Sequence, residues 1–299
     1  MRRSTWPPDE SHALLMQRTE LSQRPHPMDE LIIEAGKTER QYWRDLLRYR
    51  ELFYFLAWRD ILVRYKQTVV GVAWAVLRPL LTMIILTVVF GKLAKMPSGD
   101  VPYPILVFSG LLPWQFFATA LSESGNSLVS NAGMISKVYF PRLVLPVSSV
   151  ITSLVDFLIS AAIMAVLMAW YGYLPSANIL GLPLLIGMAF AIAFGGGLWI
   201  AALMARYRDF RFIVPFVVQF GLYISPVGFY SSVVPGQWRL LYSLNPMVGV
   251  IDGFRWAILG GEHTIYLPGF LLSLGVIAAL VGTGMWYFRK TEKTFADVI

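Results

Sequence analysis

The amino-acid sequence predicts an all-α integral membrane protein. Six transmembrane helices follow an amphipathic helix in the cytoplasmic interface, and short re-entrant helices precede the last span. Three observations carry this. The 299 residues are 56% hydrophobic and only 14% charged, with a mean hydropathy of +0.58, whereas soluble domains run near a quarter charged. Six apolar segments, 67–91, 103–121, 144–170, 181–204, 213–230 and 268–288, each approach the ~20 residues that cross a bilayer. Lysine and arginine are also asymmetric. The proposed inner segments hold twelve in 58 residues and the proposed outer ones four in 58, which places both termini inside.

The chain divides into an N-terminal extension (1–43), an amphipathic helix (44–66), a six-span domain (67–288) and a tail (289–299). Residues 1–40 are polar and proline-containing with no apolar signal core. They read as largely disordered, with a short helix near 28–36. In 44–66, Leu52, Phe55, Leu56, Trp58, Leu62 and Tyr65 share one side. Arg48, Arg50, Arg59, Arg64 and Lys66 lie opposite or snorkel. That pattern suits a helix lying in the interface, or a soluble helix packed on a partner.

Residues 122–142 are polar and small, with Lys137 and Arg142. They read either as a connecting loop or as a short helix from Ser124 to Ser130 facing a cytosolic partner. The stretch 204–230 organises the rest: a basic loop at Arg206, Arg208 and Arg211 around Asp209, then an apolar run broken at Ser225-Pro226. A proline near the end of a span frees backbone groups that protein or a water-filled cavity must satisfy. Beyond it, two helices too short to span are expected at 235–244 and 246–259. Asn245-Pro246 starts the second, Gly260-Gly261 ends it, and Asp252 and Arg255 pair three residues apart.

Arg78 and Asp156 stand alone within apolar spans, and an intramembrane charge implies a partner or an aqueous path. Their matched depths predict an ion pair; the rival reading has Arg78 facing a polar conduit for an anionic substrate. Gly187, Ala191 and Gly195, four apart, predict a close helix contact. Most of the aromatic residues read as interface belts, and some could stack on sugar rings.

Several chemistries are excluded. The chain has no cysteine and no phosphate-binding G-x-x-x-x-G-K-[ST] loop, so neither disulfides nor ordinary nucleotide binding is expected. His12, His26 and His263 lack metal spacing. Asp156 is the single carboxylate of the spans, which disfavours a proton-coupled carrier or a membrane-embedded glycan enzyme. No filter-like repeat points to a channel. The net charge of +7 follows from the positive-inside rule, so nucleic-acid binding is not expected.

Five stretches, RYKQTVVGVAWAVLRPLL (64–81), FSGLLPWQFF (108–117), SKVYFPRLVLP (136–146), RYRDFRFIVPFVVQFGLYISPVGFY (206–230) and LNPMVGVIDGFRWAILG (244–260), together resemble the permease subunit of type-2 ATP-binding-cassette exporters, in the polysaccharide and O-antigen branch. The resemblance covers residues from about 45 onward. It implies a homodimer in the bacterial inner membrane, in contact with membrane lipids and bound to two cytosolic ATPase subunits. ATP and Mg would sit on the ATPase, with no cofactor in this chain. The cargo would be a glycan linked to undecaprenyl diphosphate. A drug or small-lipid exporter is the alternative cargo reading.

The resemblance also implies roles. The ATPase contacts would be Glu123, Ser124, Asn126, Leu128 and Lys137, with Arg208 and Asp209 as a smaller second contact. Substrate and channel residues would be Arg59, Arg64, Lys66, Trp74, Arg78 and Tyr223. Asn245, Pro246, Asp252 and Arg255 would belong to short periplasmic gate helices. The first and fifth spans would line the dimer interface and the channel.

Overall fold

The computed structural model describes residues 39–66, 69–260 and 265–295. The helix expected near 28–36 lies outside these. The chain from Arg44 onward forms one compact unit; of the unit that ends at Trp43, residues 39–43 are described, as the opening of a helix.

Every regular element among the described residues is a helix, with no strand. In chain order the helices are α1 (Glu39–Arg48), α2 (Arg50–Lys66), α3 (Val69–Leu86, continued by a π-helical Thr87–Leu93), α4 (Tyr103–Ser130), α5 (Ala132–Ile135) and α6 (Val144–Trp170). They continue with α7 (Leu182–Arg206, led in by a 3-10 turn at Ala177–Gly181), α8 (Phe210–Ile224), α9 (Gly236–Tyr242), α10 (Pro246–Leu259) and α11 (Leu267–Thr291). The expected amphipathic stretch is therefore two helices, parted at Tyr49.

Among the described residues, five segments have the length and composition to cross a bilayer: Ala73–Leu93, Tyr103–Ser130, Val144–Trp170, Ala177–Arg206 and Leu267–Thr294. The fifth expected span contains α8, a shorter apolar helix of 15 residues, followed by non-helical chain through Tyr230 except for one turn. The helix stops where Pro226 cannot donate a backbone hydrogen bond and biases Ser225 to extended backbone; Ser225 has ψ 152°.

α4 is the central element. Its most apolar window is 72% buried, against 17–33% for the other candidate spans. It packs most extensively on α6 and α7, and α7 in turn on α11. The α7–α11 contact is backbone-close. A Cβ on Gly195 would meet Val281 N at 2.8 Å, and one on Gly284 would meet Gly195 O at 2.5 Å. Of the small residues expected to make a close face, Gly195 does so. Gly187 has nothing within 4 Å.

The expected break between the second span and a separate 124–130 helix is absent; α4 runs unbroken to Ser130. The small polar residues that suggested a loop instead line a helix–helix seam. Gly125 lies against Ile200, and Gly197 lies against Ser124. Small side chains let two membrane helices approach closely.

Candidate functional site

Two polar constellations lie within this bundle. The first surrounds the broken end of α8. A non-helical segment loses its backbone partners, and here side chains replace them. Arg255 on α10 donates through Nη1 to Phe229 O (2.7 Å) and through Nη2 to Val227 O (2.9 Å). Tyr103 OH donates to Gly228 O (2.7 Å) and Tyr242 OH to Ile224 O (2.6 Å). Asn245 acts twice: its Oδ1 caps α10 by accepting from Met247 N, and its Nδ2 donates to Ser225 Oγ (2.9 Å). Pro246 occupies the first turn of α10, and Gly260, at φ +60°, ends it.

Arg255 is 1% exposed, the largest fully buried side chain of the described residues. Its guanidinium also lies over the Tyr230 ring at 5.2 Å. Burial lowers its pKa and the nearby Asp252 carboxylate opposes that. The expected Asp252–Arg255 ion pair is not what forms. Arg255 turns to the carbonyls of the broken segment, and Asp252 accepts from Ser231 Oγ (2.5 Å). The unmet acceptors after Ile224 are stronger claimants for a five-donor fork than one acid already hydrogen-bonded.

The second constellation is an open cleft of about 700 Å³, walled by α3, α4, α6 and α8 together with the end of α2. Asp156 on α6 accepts from Arg64 Nη1 (2.5 Å) and from Tyr65 OH. Arg64 Nη2 reaches Glu123 Oε1 on α4 (2.8 Å). Arg64 and Asp156 are each under one-third exposed; Glu123 is 48% exposed. The Arg78–Asp156 pair expected from matched depths is therefore replaced by Arg64–Asp156. Depth says nothing of which way a side chain faces around its helix, and α2 packs directly on α6. Arg78 also lines the cleft, and among the described residues its guanidinium has no polar partner.

The other expected site residues are spread over the bundle, some in the cleft and some outside it. Trp74 lines the cleft, and Tyr223 is exposed on α8 outside it. Arg59 pairs with Asp60 (2.8 Å) and donates to Asn131 (3.0 Å), so it and Arg64 are both engaged within the chain. Lys66 is exposed at the end of α2. Of the expected ATPase contacts, Ser124 and Leu128 are buried against α7 and within the core. Glu123, Asn126, Lys137, Arg208 and Asp209 remain at the surface. Gln115 and Gln219, not singled out in the sequence, line the cleft as well, together with Trp114, one of the aromatics read as interface-belt or sugar-stacking residues.

A helical membrane bundle with an open polar cleft and a clasped, partly unwound helix has the form of a solute-translocating subunit. Residues 51–259 match the family model described as ABC-2 type transporter. The chain belongs to that family. It is 28% identical over 242 residues to the O-antigen export system permease protein RfbA of Klebsiella pneumoniae, covering 81% of this chain and 92% of that one. It is 27% identical to the protein of that name from Myxococcus xanthus, covering 86% and 98%. It is 26% identical to the polysialic acid transport protein KpsM of Escherichia coli, covering 78% and 91%.

Proposed function

We propose that this chain is the permease subunit of an ATP-driven exporter that moves lipid-linked polysaccharide, O-antigen-like and carried on undecaprenyl diphosphate, across the bacterial inner membrane. The observation that carries this is the near end-to-end match to relatives named as polysaccharide export permeases, which spans 91–98% of their own lengths.

In this reading the chain crosses the membrane six times with both termini cytoplasmic, and two copies associate through α3 and α8. Both helices carry bands of exposed apolar side chains, including Leu77, Leu81, Ile84, Phe216, Phe220 and Ile224. Two cytosolic ATPase subunits hold ATP and Mg and dock on the inner surface formed by Glu123, Asn126, Lys137 and the 206–209 loop. Because α4 is one continuous helix from Tyr103 to Ser130, displacement of its inner end carries toward the centre of the bundle. The clasped segment 225–230 with α9 and α10 forms the periplasmic gate.

The test is a deletion strain, complemented with the wild-type gene and fractionated for lipid-linked glycan. Undecaprenyl-linked polymer building up at the inner leaflet while surface glycan disappears is the expected result. Unchanged surface glycan overturns the polysaccharide assignment and leaves export of a small lipid or drug.

A further inference from the structure

We propose that Arg78 anchors a diphosphate-binding site in the cleft, flanked by the carboxamides of Gln115 and Gln219. The identity of the natural ligand as a lipid diphosphate rests on the export reading above; the site itself rests on the cleft.

Four charged side chains, Arg64, Arg78, Glu123 and Asp156, line the cavity, and three of them form a closed set. Arg64 is held by both Asp156 and Glu123, and Tyr65 supplies a second donor to Asp156. Arg64 therefore has little left to offer an incoming anion. Arg78 is the cation left over: it lies inside an apolar helix, faces the same cavity, and has no polar partner among the described residues. A lone guanidinium at membrane depth is costly unless something compensates it. Here that compensation is a ligand.

The chemistry of the ligand follows from the donor set. A guanidinium presents a planar fork of N–H groups that fits phosphate oxygens two at a time. Among the described residues, Gln115 and Gln219 have no side-chain hydrogen-bond partner, and with the Trp114 indole they add neutral donors and acceptors to the same cavity. A volume of about 700 Å³ exceeds a diphosphate, and leaves room for the groups attached at either end. The two acids do not compete, since both are already covered by Arg64. A simple balancing of the surplus negative charge of the Arg64–Asp156–Glu123 set is the structural alternative, and it makes a different prediction for stability.

The full-length chain in phosphatidylcholine nanodiscs is titrated calorimetrically with farnesyl diphosphate, farnesol and inorganic pyrophosphate. Wild type is expected to bind farnesyl diphosphate about tenfold or more tightly than farnesol, the scale of a charge-assisted hydrogen bond. Arg78→Gln removes that preference without changing farnesol binding or the unliganded unfolding midpoint, and Arg78→Lys retains part of it. Pyrophosphate binding that is lost in Arg78→Gln assigns recognition to the diphosphate alone; binding of the farnesyl form only assigns it to lipid and diphosphate together. A diphosphate preference that survives Arg78→Gln overturns the proposal. So does equal binding of farnesol and farnesyl diphosphate by wild type, or a drop in the unliganded midpoint in Arg78→Gln, restored by lysine, with the preference intact. The assay contains no polysaccharide and no ATPase. An Arg78-dependent preference in a chain whose deletion spares surface glycan therefore leaves this site standing and removes the polysaccharide reading.

Discussion

Arg255 carries its charge where water does not reach, and its role follows from what it touches. Val227 O and Phe229 O accept from it, and without it both carbonyls stay buried and unmet. Arg255→Leu is expected to lower stability by about 2–5 kcal/mol, the combined penalty of two orphaned acceptors. Tyr103→Phe, which orphans Gly228 O alone, is expected to cost about 1–2 kcal/mol. Thermal unfolding in detergent orders them; equal midpoints for Arg255→Leu and wild type would contradict the clasp. Asp156 is a second residue whose partner decides its meaning. A double-mutant cycle on Arg64 and Asp156 is expected to give a coupling of about 1–2 kcal/mol, and one on Arg78 and Asp156 less than about 0.5 kcal/mol. The reverse result restores the pair inferred from depth. Both charged residues were visible in the sequence as anomalies among apolar neighbours. Their partners were not, because Arg64 and Val227 lie 92 and 28 positions away respectively and helical spacing carries no information across such gaps.

Helices were the most legible elements. Long apolar runs in 103–121, 144–170, 181–204 and 268–288 correspond to α4, α6, α7 and α11, and Asn245-Pro246 and Gly260 mark the ends of α10 correctly. The misreading at the end of the second span has a plain cause. Small polar residues suit both a loop and a tight helix seam, so Ser124 and Gly125 read as an end to the span when they are part of its packing against α7. The same ambiguity affects the glycines, and the contacts resolve it. At Gly284 an added Cβ would press on the Gly195 carbonyl, a backbone atom that no rotamer change can move. Gly284→Ala is expected to destabilise the α7–α11 pair by about 2 kcal/mol or more. At Gly187 the space is open, so alanine gains helix propensity, about 0.5–1 kcal/mol. Opposite shifts in unfolding midpoint are the expected outcome; a neutral Gly284→Ala would mean that α7 and α11 separate more easily than their contact implies.

At the scale of the whole molecule, α8 decides the topology. Its 15 residues rise about 22 Å, short of a hydrocarbon core of about 30 Å. The six residues 225–230 that follow turn at 225–227 and bend at 228–229, with Ser225 and Tyr230 extended, and at no more than about 3.3 Å each they add to the length of the helix. Non-helical backbone is tolerated at membrane depth only where protein or a cavity satisfies it. Arg255, Tyr103 and Tyr242 meet that condition at four successive or near-successive carbonyls, from Ile224 to Phe229. In the proposed topology, helix and clasped segment together make the sixth crossing. The cysteine-free sequence allows a direct check by single cysteines and a membrane-impermeant maleimide. Six crossings put Arg44→Cys, Arg208→Cys and Lys293→Cys on one side, and Tyr171→Cys and Gln237→Cys on the other. If α8 only dips into the membrane and returns, five crossings remain, and both Gln237→Cys and Lys293→Cys change sides. Labelling of Lys293→Cys from outside the cell would also remove the inward-facing C-terminus from the proposed exporter. Protection of Lys293→Cys together with labelling of Gln237→Cys places α9 and α10 at the outer surface, where a gate for an exported glycan has to be.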